Sequence, residues 1–83
     1  MDKKQQNKLY DLITDKIREE RKKRGISQLK LALLLGYNST SHIAKIELRK
    51  SGANYQIVHL YIIAKEFNLK LAELLPDCTE LDQ

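Results

Sequence analysis

The side chains best suited to nucleophilic, acid–base or metal chemistry in this sequence are Cys78, His42 and His59. Cys78 is the single cysteine and the two histidines are 17 residues apart, so none of the three lies in a metal-ligand spacing. The sequence also contains no glycine-rich phosphate loop and no nucleophile motif. We therefore predict no enzymatic activity, no metal site and no cofactor, and we place His59 on the surface of its helix.

A helix predicted over residues 39–48 carries a second candidate site. At about 100° per residue, its two isoleucines and its glutamate share one face, which we expect to contact the core. Ser41 and Lys45 lie at the middle of the opposite face, with Thr40 at the N-terminal end and His42 at one side. A short, polar, positively biased face of this kind can enter a DNA major groove and hydrogen-bond to base edges. An ordinary solvated helix face has the same composition, so the pattern alone leaves both interpretations open.

Two charged residues occupy positions that helical spacing assigns to the core. Arg21 follows Ile13 and Ile17 at intervals of four residues, and Glu47 continues the face of Ile43. A partly buried charge needs a partner of opposite sign, and each of these residues supplies one for the other. We therefore predict a structural Arg21–Glu47 ion pair between the two helices. The alternative is that both side chains extend to solvent.

Helical spacing and helix stops define the elements that hold these groups. Five helices are predicted, over about residues 7–24, 28–35, 39–48, 56–67 and 70–75, followed by a frayed tail over 76–83. Helices end near Gly25, Gly36 and Pro76, and we expect Asn38 or Ser39 to cap the third helix. On the fourth helix, five residues are expected to face the core: Ile57, Leu60, Tyr61, Ala64 and Phe67. Short loops and the absence of a long linker predict one all-α domain over residues 1–83.

The charge distribution favours a polyanionic partner. Residues 1–25 carry a net charge of +4, residues 26–54 carry +3, and residues 55–83 carry −3. This asymmetry suits a protein that binds a polyanion through one end, although a solvated lysine-rich surface would give the same distribution. The N-terminus lacks the apolar region of a signal peptide, and no apolar run approaches the ~20 residues of a membrane span. With one cysteine, we expect a cytoplasmic protein without membrane contact.

Four segments together resemble the Cro/phage-repressor type of helix-turn-helix regulator, also called the XRE family. They are IREERKKRGISQ (17–28), LALLLG (31–36), IAKIE (43–47) and IIAKEFNLKLAELL (62–75). The resemblance implies a five-helix, lambda-repressor-like, all-α DNA-binding domain, here with an extended N-terminal helix. It also assigns Arg21 and Glu47 to the internal ion pair of that family.

The function that this resemblance implies is sequence-specific binding of double-stranded DNA by a transcriptional regulator. A dimeric repressor or autoregulator on an inverted-repeat operator is expected; an antitoxin with a toxin partner, or a restriction–modification controller, has the same fold. The residues implied to contact DNA are Gln28, Ser39, Thr40, Ser41, His42, Lys45, Arg49 and Lys50.

The sequence departs from the family pattern in its apolar residues. Leu29, Leu33 and Leu34 occupy usually polar positions of the second helix, and the turn after Gly36 has one additional residue. We expect the extended first helix to pack on these leucines. Alternatively, an apolar patch is a dimer surface, for which the favoured residues are Val58, Ile62, Leu71 and Leu74.

Overall fold

The computed structural model describes residues 1–49 and 52–81, and over these residues the fold is all-α. The elements in chain order are α1 (Lys3–Lys23), α2 (Gln28–Leu34), α3 (Ser41–Glu47), α4 (Ile57–Glu66), a 3₁₀ turn (Leu71–Leu74) and α5 (Cys78–Leu81). Within those described ranges, no helix combines the length and apolarity needed to cross a bilayer.

Helix α1 begins four residues earlier than the predicted start at residue 7. Asp2 caps it: its Oδ1 accepts a hydrogen bond from the Gln5 amide at 2.8 Å, and the Gln5 side-chain oxygen accepts one from the Asp2 amide at 3.3 Å. Such a reciprocal capping box satisfies two amides that otherwise have no helical partner. The first turn is polar, so apolar spacing could not mark this start.

The core lies between α1, α3 and α4, and α2 closes it from one side. Its fully buried members include Ile17 of α1, Leu31 of α2, Ile43 and Ile46 of α3, and Ile63 of α4. Helix α3 packs against both α1 and α2. The exposed face of α3 is therefore fixed in place by the apolar residues on its other side.

Helix α4 buries a different face from the one predicted. The exposed fractions of Ile57 and Tyr61 are 62% and 60%, whereas His59 is buried and Ile63 is fully buried. The helix is apolar around most of its circumference, so its spacing did not select one face. The placement of Ile57 and Tyr61 in the core and of His59 on the surface was therefore wrong.

The C-terminal segment, expected to be frayed, contains the short helix α5. Asp77 Oδ1 accepts hydrogen bonds from the amides of Thr79 at 3.0 Å and Glu80 at 3.2 Å, and α5 packs against α1. Leu74, in the preceding 3₁₀ turn, has no exposed surface. Its side chain contributes to the core of its own chain, so the predicted role of Leu74 in a dimer contact is wrong.

Two of the three additional leucines of α2 are left uncovered by the N-terminal part of α1, whereas Leu34 is partly buried against the core. Leu29 and Leu33 are about half exposed, at 46% and 57%. Helix α1 instead packs against α3, the 3₁₀ turn and α5. The expected contact between the helix extension and these leucines is therefore replaced by contacts with the C-terminal elements, and α2 keeps an apolar outer surface.

Candidate nucleic-acid interface

A short turn connects α2 to α3. Ser27 is the N-cap residue of α2, and its Oγ accepts a hydrogen bond from the Lys30 amide at 3.0 Å. Beyond the other end of the helix, Gly36 has a φ of +91°, and the Tyr37 amide donates to the Ala32 carbonyl oxygen at 2.9 Å. A positive φ favours glycine because an L side chain is strained there. This sharp exit turns the chain so that α3 can pack across α2.

The start of α3 differs from the predicted capping by Asn38 or Ser39. Thr40 is the N-cap residue, and the Ser39 hydroxyl accepts a hydrogen bond from the Ser41 amide at 3.4 Å. Ser39, Thr40 and Ser41 are all exposed. The additional residue of the turn thus places three adjacent hydroxyl groups at the N-terminal end of α3.

The remainder of the outer face of α3 consists of Lys45 and the partly exposed Ala44 and His42. Lys45 is exposed one turn after Ser41, on the side of the helix away from the buried isoleucines. The His42 ring stacks against the Tyr37 ring at a centroid distance of 4.5 Å. The structure thus brings five of the predicted DNA-contact residues together on one exposed end: Ser39, Thr40, Ser41, His42 and Lys45.

The inner face of α3 is held to α1 by a bidentate ion pair. Arg21 Nε lies 2.9 Å from Glu47 Oε2, and Arg21 Nη2 donates to Glu47 Oε1 at 2.9 Å. The two side chains are 9% and 5% exposed. The second terminal nitrogen of the guanidinium, Nη1, donates to the Ile26 carbonyl oxygen at 2.8 Å, which ties the loop before α2 to the same pair.

Gln28 also contacts this ion pair. Its Nε2 donates to Glu47 Oε1 at 3.0 Å, and its side chain is partly buried. Burial alone would raise the pKa of Glu47, but the hydrogen bonds from Arg21 and Gln28 and the positive charges of Arg21 and Arg18 together hold the pKa of this carboxyl below its usual value. Gln28 therefore connects the first residue of α2 to the last residue of α3.

Arg49, predicted to contact DNA, has internal partners in this structure. Its Nε lies 2.6 Å from Asp11 Oδ1, and its Nη1 donates to the Ala53 carbonyl oxygen at 3.0 Å and to Asn54 Oδ1. Its guanidinium carbon is 5.6 Å from the centre of the Tyr10 ring. Lys50, the other basic residue predicted after α3, lies outside the described residues.

Two buried polar side chains near α3 were missed by sequence reasoning. The His59 ring packs edge-on against the Tyr37 ring at 5.6 Å, so α4 is linked through Tyr37 to His42. Burial lowers the pKa of His59, and the nearby His42 lowers it further. Burial raises the pKa of Tyr55. Within the described part of the chain, neither His59 Nδ1 nor the Tyr55 hydroxyl has a hydrogen-bond partner.

Comparison with protein families identifies the unit formed by α2, the turn and α3. A family model described as helix-turn-helix matches residues 17–74. The chain belongs to the helix-turn-helix family. Comparisons with curated proteins and with solved structures found no match.

The helix-turn-helix match begins within α1 and extends through the 3₁₀ turn. It therefore contains the Arg21–Glu47 pair, the α2–turn–α3 unit and α4. It agrees with the resemblance to Cro/repressor-type regulators, which are DNA-binding transcription regulators. In this type of protein the second helix of the unit, here α3, is the recognition helix. The part of α1 before residue 17 and helix α5 lie outside the match.

Proposed function

We propose that the protein represses transcription, that of its own gene included, as a homodimer on an inverted-repeat operator. Each protomer inserts α3 into the major groove, and the two helices lie about 34 Å apart, one turn of B-DNA. Thr40, Ser41 and Lys45 contact base edges or adjacent phosphates, Ser39 and His42 flank them, and Gln28 braces α3 from the start of α2.

The observation that supports this proposal is the division of α3 into a buried and an exposed side. Its isoleucines are fully buried and its glutamate is held by a guanidinium, whereas Ser41 and Lys45 are exposed. A helix fixed in this way presents hydrogen-bonding side chains in a constant geometry, which selective contact with base edges requires.

The basic part of the chain provides the part of the affinity for DNA that does not depend on sequence. Residues 1–54 carry a net charge of +7, and they include all of α1, α2 and α3. Lysine and arginine side chains that neutralise phosphates release counterions from DNA, so binding should weaken steeply as salt is raised. Phosphate contacts then orient the protein, and the exposed face of α3 selects the sequence.

The dimer contact that we propose lies on the exposed side of α4. Val58 and the partly buried Ile62 were predicted from the sequence, and the structure exposes Ile57 and Tyr61 beside them. Positions 57, 58, 61 and 62 form one stripe along a helix. A twofold interface needs one self-complementary patch, and this apolar stripe supplies it. Leu71, also predicted for the dimer contact, is partly buried.

The deciding experiment is selection of bound duplexes from a random pool, followed by titration of the selected duplex. We expect an inverted repeat that binds two protomers. Ser41→Ala and Lys45→Ala should change the preferred base at one position of each half-site, a discrimination worth about 1–3 kcal/mol. Lys65→Ala removes the same charge from α4 and should leave the preference unchanged. A protein that binds all duplexes equally, or none, would overturn the proposal.

The dimer is tested separately by sedimentation. Tyr61→Asp places a charge in the proposed contact and should yield monomers with weakened operator binding. Leu29→Asp places the same charge on the exposed side of α2 and should leave the dimer intact. If Tyr61→Asp stays dimeric while Leu29→Asp dissociates, the dimer forms through α2.

A second candidate function, that of an antitoxin, rests on the apolar outer side of α2. A groove of about 290 Å³ lies beside this helix, lined by Ile26, Lys30, Leu33, Leu34 and Glu66. Such a surface suits an apolar segment of a partner protein. Co-purification of a small toxic protein with the wild type, and its loss in Leu33→Asp, would favour this function over repression alone.

A further inference from the structure

The N-terminal part of α1 reaches the loop that follows the recognition helix. Residues 3–16 belong to α1 but precede the segment matched by the helix-turn-helix family. Tyr10 and Asp11 lie on this additional part, and both contact Arg49, the second residue after α3. One arginine thus connects an element outside the matched segment to the chain that leaves α3.

The guanidinium of Arg49 joins both sides of that loop to α1. Its Nε forms a 2.6 Å ion pair with Asp11, and its Nη1 donates to the Ala53 carbonyl oxygen and to Asn54 Oδ1. Asn54 in turn donates from Nδ2 to the Gly52 carbonyl oxygen at 3.1 Å. The arginine side chain is 23% exposed and the Asp11 side chain 53%, so the ion pair is open to solvent on its carboxylate side.

The backbone of Arg49 is in the left-handed region, with a φ of +55°. Its amide donates to the Ile46 carbonyl oxygen at 3.0 Å, which ends α3. Glycine is the usual residue at such a helix end because a side chain is strained there. A non-glycine residue persists in this conformation when surrounding contacts hold it. The contacts to Asp11, Ala53 and Asn54 provide that restraint.

We propose that Tyr10 and Asp11, by holding Arg49, fix the C-terminal end of α3 together with Ala53 and Asn54, so that the N-terminal part of α1 strengthens DNA binding without touching DNA. Arg49 is then a positioning residue and not a phosphate contact. This inference rests on the proposed DNA-binding function. When the end of α3 is held in place before DNA arrives, part of the entropy cost of binding is removed.

The test compares two charge-matched variants of α1 on the selected operator. Asp11→Asn breaks the ion pair to Arg49. Glu19→Gln removes the same charge from an exposed position two turns later on the same helix. We expect Asp11→Asn to bind DNA about threefold to tenfold more weakly than Glu19→Gln, the effect of leaving Arg49 and the end of α3 less ordered. Amide ¹⁵N relaxation should show lower order parameters at Ala53 and Asn54 in Asp11→Asn only.

Variants of Arg49 separate positioning from phosphate contact. Arg49→Gln should weaken binding by a similar factor, with an unchanged slope of log affinity against log salt. A phosphate contact would reduce that slope by about one unit. Arg49→Lys keeps the charge but loses the planar fork, so it should behave like Arg49→Gln. Combining Asp11→Asn with Arg49→Lys should add nothing further, as expected for two residues that act through one contact.

The inference is overturned if Asp11→Asn binds as tightly as Glu19→Gln or more tightly, or if Arg49→Gln flattens the salt dependence. Equal binding would mean that the ion pair does not act on DNA binding, whereas tighter binding or a flatter salt dependence would mean that Arg49 leaves Asp11 for a phosphate. All measurements are made well below the melting temperatures of the variants, so loss of folding does not contribute. Absence of operator binding by the wild type would instead refute the proposed function itself, which keeps the two failures distinct.

Discussion

Replacement of Glu47 by alanine should destabilise the protein strongly. The glutamate side chain is 5% exposed and accepts hydrogen bonds from Arg21 and Gln28. In Glu47→Ala the Arg21 guanidinium loses its two contacts with the carboxylate, and among the described residues it retains the Ile26 carbonyl oxygen. A buried charge that has lost its partner is costly because the interior does not replace the water that it gave up.

The expected loss is about 3–5 kcal/mol, the usual cost of removing one member of a buried ion pair. A chain of 83 residues has a total free energy of unfolding of roughly 4–12 kcal/mol. The substitution therefore removes a large part of the stability of the fold. The recognition helix should be affected first, because Glu47 is its last residue and holds it to α1.

Urea unfolding monitored by circular dichroism measures this effect through the midpoint and the slope. Glu19→Ala, which removes an exposed glutamate from α1, is the matched control and should stay within about 0.5 kcal/mol of wild type. The double variant Arg21→Met with Glu47→Leu should recover part of the loss, since no buried charge then lacks a partner. If Glu47→Ala unfolds at the same midpoint as Glu19→Ala, the ion pair does not hold the fold and the reasoning fails.

Three further outcomes follow from burial and backbone geometry. Burial lowers the pKa of His59 in the folded protein below the ordinary 6.5, so near that pH the unfolded chain binds more protons at this residue than the folded one. The melting temperature should therefore fall as pH drops below 6.5. His59→Phe should remove this part of the pH dependence. Gly36→Ala should lower the free energy of unfolding by about 1–2 kcal/mol, because alanine is strained at the positive φ of this position. Asn68 also has a positive φ, of +55°, which glycine adopts without strain, so Asn68→Gly should not lower the melting temperature. Leu74→Ala should lower the free energy of unfolding, measured in urea, by about 2–5 kcal/mol because the side chain is fully buried. If this leucine contacted only a partner chain, the free energy of unfolding would change little.

Acid should unfold the protein through its buried carboxylates. The pKa of Glu47 is lowered in the folded state, and hydrogen bonding to Arg24 lowers that of Glu20. A depressed folded pKa contributes stability above the ordinary value of 4.5, and this stability is lost as pH falls through the folded pKa. The Arg21→Met, Glu47→Leu double variant should therefore show a smaller acid dependence than wild type.

The sequence predicted the parts of the fold in which spacing and chemistry agree. Arg21 and Glu47 could be paired because each interrupts an apolar stripe with a charge that only the other neutralises. The exposed side of α3 followed from the same helical geometry, since Ile43 and Ile46 define the opposite side. In both cases a periodic pattern and a local stop signal, such as Gly36, supported the same interpretation.

Where the pattern was not periodic, the prediction failed or was incomplete. Helix α4 has apolar residues on nearly every side, so spacing could not show that Ile57 and Tyr61 are exposed while His59 is buried. The start of α1 depended on the Asp2 cap in a polar segment. The contacts of Arg49 join residues 38 positions apart, which a local pattern does not reveal.

In the proposed function, anchoring and selection are assigned to opposite sides of the seven-residue helix α3. A change at Ser41 or Lys45 would then alter what the protein selects without disturbing Ile43, Ile46 or Glu47, which are buried. New operators can therefore be acquired by single substitutions that carry little cost in stability. This separation lets a family of such small proteins diversify its targets while the interior of the domain stays the same.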